Sequence, residues 1–303
     1  MTSVEAAARI CNAEVTGLRA ALTEIDFFPQ QNQAGQYDFR IGTAGSAMLV
    51  LQTVLPLLLN ADGPSAISVE GGTHNMQAPA FGFLQQSWLP LLNRIGVHVK
   101  ETLESNGFYP AGGGRVTVSI TPTSRLDGFD LMESGPVRHR RLRSLIANLP
   151  VEIGEREVKR GLRPLEWPSK SGTVQIVRSN GLGNVVLAEI ECDHVTAVFI
   201  GFGRVGVRAE QVADAVVRNV RTWIRHQASV CPLLADQLLL PLSLSAAQAE
   251  TNGLQRGGRF RTGSLTDHSR TQINLPHQFF PVRIETTASD PAVEVNVQPR
   301  TQA

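Results

Sequence analysis

The richest chemistry in this sequence sits around one histidine. Thr266-Asp267-His268-Ser269-Arg270-Thr271 clusters a carboxylate, an imidazole, hydroxyls and a guanidinium where a loop turns into a helix. A helix start accepts negative charge, because its free N–H groups and its dipole point at whatever sits there. An imidazole at that place could attack a phosphorus atom. The same residues also read as an ordinary cap, with Thr266 or Asp267 capping and His268 simply exposed. His74, in Gly71-Gly72-Thr73-His74-Asn75, stands where a strand gives way to a helix. That is the edge at which α/β sheets bind ligands, although turn geometry accounts for it nearly as well. His98, His139, His194, His226 and His277 have no partner at metal-ligand spacing.

Other residue groups offer weaker chemistry. Gly112-Gly113-Gly114 could cradle a phosphate, but it lies between two strands rather than before a helix, and so reads as a hairpin turn. Asp236 and Gln237 open an apolar helix and could either cap it or fix a ligand's ribose and base by hydrogen bonds. Arg138-His139-Arg140-Arg141-Leu142-Arg143 could hold RNA phosphates or form a solvated face. Lys100, Lys159 and Lys170 are the only lysines and none begins Lys-x-Asp-Gly, which removes the lysine-adenylate route of common nucleic-acid ligases. Cys11, Cys192 and Cys231 are odd in number and unpaired in spacing, as in a reducing compartment.

The elements that must position these groups follow from periodicity. Val4, Ala7, Ala8 and Cys11 recur at helical spacing, and Tyr37, Phe39 and Ile41 alternate. Gly42-Thr43-Ala44-Gly45-Ser46 is a small-residue turn opening a helix whose expected buried face is Leu49, Val50, Thr53, Val54 and Leu58. A strand at 66–69, a helix from about Pro79 to Arg94, and strands at 97–103 and 115–120 come next. Gln52-Thr53-Val54-Leu55-Pro56-Leu57-Leu58-Leu59 and Gln237-Leu238-Leu239-Leu240-Pro241-Leu242-Ser243-Leu244 share Gln-x-x-Leu-Pro-Leu-x-Leu. Each is followed by strand, helix and hairpin: 259–262, about 268–279, then 282–286 with 293–297 in the second copy. This order predicts a duplicated α/β unit. Between the copies, a helix at 152–160, strands at 173–177, 184–191 and 196–200, and a helix at 209–225 predict a smaller α/β domain. It is inserted at 134–228 into a large domain made of 1–133 and 229–303.

Bulk properties set the outer bounds. With 28 Lys and Arg against 27 Asp and Glu the net charge is +1, so any anion site must be local. At 42% apolar and 18% charged residues the composition is that of a globular protein. The longest apolar run, Met48 to Leu59, is broken by Gln52, Thr53 and Pro56 and is too short for a bilayer. No secretory h-region opens the chain, so a cytoplasmic protein without a membrane partner is expected.

With these residues assembled, the chain resembles the RNA 3'-terminal phosphate cyclase family. The resemblance rests on Gly42 to Ser46 with Leu49 to Pro56, Gly71 to Asn75, Gly107-Phe108-Tyr109-Pro110-Ala111-Gly112-Gly113-Gly114, Ala235 to Leu238, and His268 followed by Phe280-Pro281-Val282-Arg283. It implies an α/β (α+β) fold of repeated βαβαββ units in a large domain plus a smaller inserted α/β domain. It also implies ATP-dependent conversion of RNA 3'-phosphate ends to 2',3'-cyclic phosphates through a histidine-AMP intermediate on His268. By the same resemblance Gln52, Pro79, Phe83, Asp236 and Gln237 surround the adenylate, with the apolar pair bracketing the base. The cofactors implied are ATP and a divalent metal, Mg or Mn, with no protein metal site assigned.

Family members carry, near their start, a strand and helix with an Asp-Gly-Ser-type motif and then an arginine-rich loop. Those residues have no counterpart in this chain, so the first repeat is expected to be truncated. Its uncovered apolar face and sheet edge would favour self-association. The rival reading is a catalytically impaired relative acting as an RNA-binding or ribosome-assembly protein. His268 favours the enzyme and the missing segment favours the rival. A repeat-built enzyme of the enolpyruvyl-transferase type would need further basic anion-binding clusters, which are not found.

Overall fold

Two adjacent parallel strands need a crossover connection between them, and an apolar helix is the usual one. The computed structural model describes residues 1–19, 24–42, 45–248, 253 and 255–300, and shows this arrangement early in the chain. The chain divides into two compact units. One comprises Met1–Phe81, Gly96–Arg125 and Arg178–Gly181; the other comprises Gly82–Ile95, Leu126–Val177 and Leu182–Ala303.

In the first unit, α1 (Thr2–Ile10) is followed by the antiparallel pair β1 (Glu14–Thr16) and β2 (Asp26–Phe28). Then come β3 (Gln36–Arg40), α2 (Ala47–Leu58), β4 (Ser65–Gly71), β5 (His98–Ser105) and β6 (Gly114–Thr121). The last four strands form one sheet in the order β3-β4-β6-β5, with only the β3–β4 pair parallel. Inward Tyr37 and Phe39 alternate with exposed neighbours on β3 and stack at 5.9 Å, as the period of two requires.

The expected face of α2 is corrected by the structure. Ser46 caps the helix by accepting from the Leu49 N–H, and the buried residues are Ala47, Met48, Val50, Leu51, Val54, Leu55 and Leu58. Leu49 is 44% exposed, and the exposed Thr53 spends its hydroxyl on the Leu49 carbonyl. Both lie on the outer edge of a broad apolar stripe. Thr43 and Ala44 of the preceding turn lie outside the described residues.

The Gly71–Asn75 and Gly107–Gly114 segments hold each other. Thr73 and His74 donate their backbone N–H groups to the Gly107 carbonyl, at 2.9 and 3.0 Å, and the Gly107 N–H donates to the Thr73 hydroxyl at 2.9 Å. A Cβ on Gly107 would collide with the backbone of Gly114 and Gly71. Gly107→Ala is therefore expected to cost more than about 2 kcal/mol, as steric strain at a fixed backbone does. Urea unfolding midpoints measure this, and an unchanged midpoint would show that the backbone can yield.

The second unit begins with α3 (Phe81–Phe83, its first residue in the other unit), a π-helical turn at Leu84–Trp88, and α4 (Leu89–Arg94). Pro79, expected to open this helix, lies in the loop before it. Phe83, Leu84, Trp88, Leu91, Leu92 and Ile95 are all buried, as the spacing predicts.

Next come β7 (Val137–Ala147), α5 (Val151–Leu165), β8 (Gly172–Ile176), β9 (Gly183–Cys192), β10 (Thr196–Phe202) and α6 (Ala209–His226). The sheet order is β10-β9-β7-β8. Strand β9 is buried almost throughout, which requires cover on both faces. Helices α5 and α6 pack on this sheet, and so does the π turn, from which Ser87 donates to the Thr196 carbonyl at 2.6 Å.

The unit closes with α7 (Pro232–Ala247), β11 (Gly258–Thr262), α8 (Asp267–Asn274), a 3-10 turn at Pro276–Gln278, β12 (Val282–Ser289) and β13 (Ala292–Pro299). The helix expected over 268–279 thus breaks before Pro276, as a proline without an N–H dictates. The β11-β13-β12 sheet reproduces the antiparallel pairings of β4-β6-β5, and Leu131 bridges Phe260 in parallel where β3 pairs β4 in the first copy. In chain order β3, α2, β4, the 81–94 helical segment, β5 and β6 form one full βαβαββ unit. α1, β1 and β2 match only its closing half.

One carboxyl is buried beneath α5. Glu157 is fully enclosed, and its Oε2 accepts from Ser144 at 2.7 Å and Asn184 at 2.8 Å. Its Oε1 is buried with no hydrogen-bond partner among the described residues. Burial raises its pKa, against the lowering effect of the two hydrogen bonds. The folded state therefore holds this proton more tightly than the unfolded chain, whose glutamates titrate near ~4.3. The stabilisation is complete below that value and is lost as pH rises through the folded pKa. Glu157→Gln is expected to gain on the wild type as pH rises from 5 to 8. Parallel stability curves from chemical denaturation at each pH would contradict this.

Candidate active site

Helix α8 is short and polar, so its position must be set by its ends. Thr266 is the cap, accepting from the Ser269 N–H at 3.0 Å, and Asp267 is the first helical residue. From α7, the buried Asp236 reaches this cap: its Oδ1 accepts the Thr266 hydroxyl at 2.7 Å and also the Ser269 hydroxyl. His268 lies between these two anchored residues and is exposed. The imidazole is thus presented to solvent on a backbone held from below by a carboxylate, the support a reactive group needs.

Asp236 can occupy a buried position because hydroxyl donors satisfy it; an unpaired buried carboxylate would be far too costly. The rest of α7 is apolar round its circumference, which explains why the helix is buried on nearly all sides. The half-buried Gln237 contributes its backbone carbonyl, which accepts the Trp88 indole N–H at 3.1 Å. Phe83 is fully enclosed in the core of its unit, so its ring presents no face to solvent. In the first unit, Pro79 is buried in its loop, and Gln52 sits half-buried on α2. The Gln52 Nε2 is buried without a hydrogen-bond partner among the described residues. That orphan donor is the feature of Gln52 that suits a ligand acceptor.

The remaining candidates resolve into structure. His74 is 3% exposed, hydrogen-bonded to the Thr73 hydroxyl at 2.8 Å and stacked on Phe108 at 5.0 Å. Gly112 and Gly113 lie in the connection between the antiparallel strands β5 and β6, and Gly114 is the first residue of β6. The Arg138–Arg143 run is part of β7 and faces acids across the sheet. Arg138 pairs with Asp193, Arg141 with Glu189 and Glu191, and Arg143 with Glu189. That opposite-charge ladder is what cross-strand pairing selects, so these arginines are largely neutralised. The three cysteines are free and buried, and burial pushes the Cys231 thiol up to about 11, far from a reactive thiolate. Among the described residues no group of three or more His, Cys, Asp or Glu could hold a metal ion, and no helix is long and apolar enough to cross a membrane.

Two of these contacts escape sequence reasoning. Thr266 and Ser269 belong to a recognisable cap, but nothing in the sequence shows that their hydroxyls converge on Asp236 some 30 residues earlier.

A family model described as RNA 3'-terminal phosphate cyclase matches residues 1–286. The chain belongs to the RNA 3'-terminal phosphate cyclase family. It is 41% identical over 291 residues to an RNA 3'-terminal phosphate cyclase of Ectopseudomonas mendocina, covering 96% of this chain and 82% of that one. Proteins of the same name from Pseudomonas fluorescens and Koribacter versatilis are 43% and 38% identical, covering 94% and 100% of this chain and 80% and 83% of theirs. The family assignment agrees with the mixed α/β architecture and its repeated units.

Proposed function

We propose that this chain is an ATP-dependent RNA 3'-terminal phosphate cyclase in which His268 carries AMP. The observation that supports His268 is its exposure at the start of α8, on a cap clamped by the buried Asp236. His268 attacks the α-phosphorus of ATP, a nitrogen–phosphorus bond forms and pyrophosphate leaves. An oxygen of the RNA 3'-phosphate then displaces the histidine and takes the AMP. Finally the neighbouring 2'-hydroxyl attacks the 3'-phosphorus, loses its proton and expels AMP, closing the 2',3'-cyclic phosphate. Activation of that oxygen makes it a good leaving group, and the vicinal hydroxyl is already in place, so ring closure has little entropic cost.

Asp236 acts as a positioning residue in this scheme, and Gln52 offers an unsatisfied donor to the nucleotide. The resemblance assigns Pro79, Phe83 and Gln237 to the nucleotide as well; Phe83 is enclosed in its own unit, and Gln237 spends its backbone carbonyl on the Trp88 indole. A divalent cation, Mg or Mn, would screen the charge of the triphosphate, with no ligand from this chain assigned to it. The inserted domain is proposed as 134–228, supported by a four-stranded sheet and two helices contained in 137–226, although Arg178–Gly181 pack with the first unit. The deciding experiment uses ATP labelled at the α-phosphate. Acid-labile, alkali-stable label on the protein, discharged by RNA bearing a 3'-phosphate but not by RNA bearing a 3'-hydroxyl, is the expected result. Label that RNA 3'-phosphate cannot discharge would refute the reading.

A further inference from the structure

Helices α5 and α6 run side by side in the same direction. Arg156 pairs with Glu210, and Arg160 pairs with Asp214 one turn further along both helices. Beyond this second pair the acids stop and the arginines continue. A surface cleft of about 410 Å³ opens there, lined by Arg160, Arg163, Arg218 and Arg221, with Asp214 as its one carboxylate and Pro164 in its floor. Asp214 is committed to Arg160, and Arg221 donates to the Pro164 carbonyl. Arg163 and Arg218 are exposed, and no ion pair or hydrogen bond reaches either side chain among the described residues.

In a chain of net charge +1, this is a local concentration of four guanidinium groups around a single carboxylate. It contrasts with the basic run on β7, where three of the four arginines, Arg138, Arg141 and Arg143, each have a carboxylate partner. Guanidinium forks suit phosphate oxygens, and several around one cleft suit a repeating anion better than a single one. We propose that the α5–α6 cleft binds the phosphodiester backbone of single-stranded RNA, through Arg163 and Arg218 first. This rests on the RNA-acting function above and extends it to a contact with the body of the RNA, independent of its terminal phosphate.

The test is fluorescence anisotropy of the full chain with a labelled single-stranded RNA ending in a 3'-hydroxyl, without ATP, across a salt series. The variant R163Q/R218Q is expected to bind roughly 10 to 100 times more weakly at low salt. Its slope of log K against log salt should be shallower by about 1.4, at ~0.7 per phosphate contact on a single strand. The variant R138Q/R156Q removes the same charge from two paired arginines outside the cleft and is expected to keep the wild-type slope. An equal loss in both variants would reduce the effect to total charge and overturn the proposal. So would unchanged RNA affinity in R163Q/R218Q, or a loss confined to inorganic phosphate or poly-glutamate. Loss of RNA affinity in R163Q/R218Q from a wild type that transfers no AMP would support the cleft while refuting the cyclase reading. Normal AMP transfer with an indifferent R163Q/R218Q would do the reverse.

Discussion

Replacing His268 by alanine is expected to abolish protein labelling from α-labelled ATP and to lower cyclisation by roughly 10⁴-fold or more, the scale seen when a covalent nucleophile is removed. The side chain is exposed and has no hydrogen bond or ion pair among the described residues, so the variant should unfold at the wild-type denaturant concentration. That combination separates lost chemistry from lost structure. A His268→Ala protein that still carries acid-labile label would place the nucleophile elsewhere, and a large drop in stability would show that the imidazole is structural.

Asp236→Ala should be the most damaging substitution to stability and activity together. It leaves the hydroxyls of Thr266 and Ser269 without their buried acceptor and lets the start of α8 move. Hydrogen bonds to a charged group contribute ~1.5 to 3 kcal/mol each, so a loss of roughly 3 to 6 kcal/mol is expected. Adenylate transfer should fall about 100-fold, because a misplacement of 1 Å at a reacting group has that order of effect. Asp236→Asn keeps an oxygen where both hydroxyls converge and should recover most of the stability. The resemblance also points to Asp236 as a nucleotide contact, and the two roles separate cleanly. A positioning residue changes stability and the rate of labelling, whereas a ribose ligand changes the ATP concentration needed and leaves unfolding untouched. Full labelling rate in a folded Asp236→Ala protein would remove the positioning role.

Much of this architecture was legible before any coordinates, for a physical reason that also marks where legibility ends. Helix and strand order follow from one-dimensional periodicity, so the repeat was visible in Gln-x-x-Leu-Pro-Leu-x-Leu and in the elements after it. Phase is harder. Leu49 and Thr53 fall within the apolar stripe of α2 by spacing, yet which edge of a broad stripe faces water depends on what packs against it. The Arg138–Arg143 run looks like an anion site when read along the chain, and becomes a largely paired ladder only when β9 supplies Glu189 and Glu191 opposite. Glu157 shows the same limit: a helix of alternating charge gives no hint that one carboxylate points inward to Ser144 and Asn184. At the site, the cap around His268 was readable from Thr266, but its anchor came from a helix distant in sequence. Contacts between elements are set by tertiary geometry, and a single sequence records only one side of each.

The backbone changes unit five times before its final run, and the bridge between Asn106 and Ser179 is one of the places where it returns. This gives the protein a temporal constraint during synthesis. The first unit lacks its Asn106–Ser179 bridge until a segment roughly 70 residues beyond its hairpin has left the ribosome, a wait of about 4 to 15 s at ordinary elongation rates. Until then the Gly107–Gly114 connection lacks its last partner, and holdase chaperones have a defined window in which to act. Fragments cut at Arg125 or Val177 would be stranded in that unfinished state.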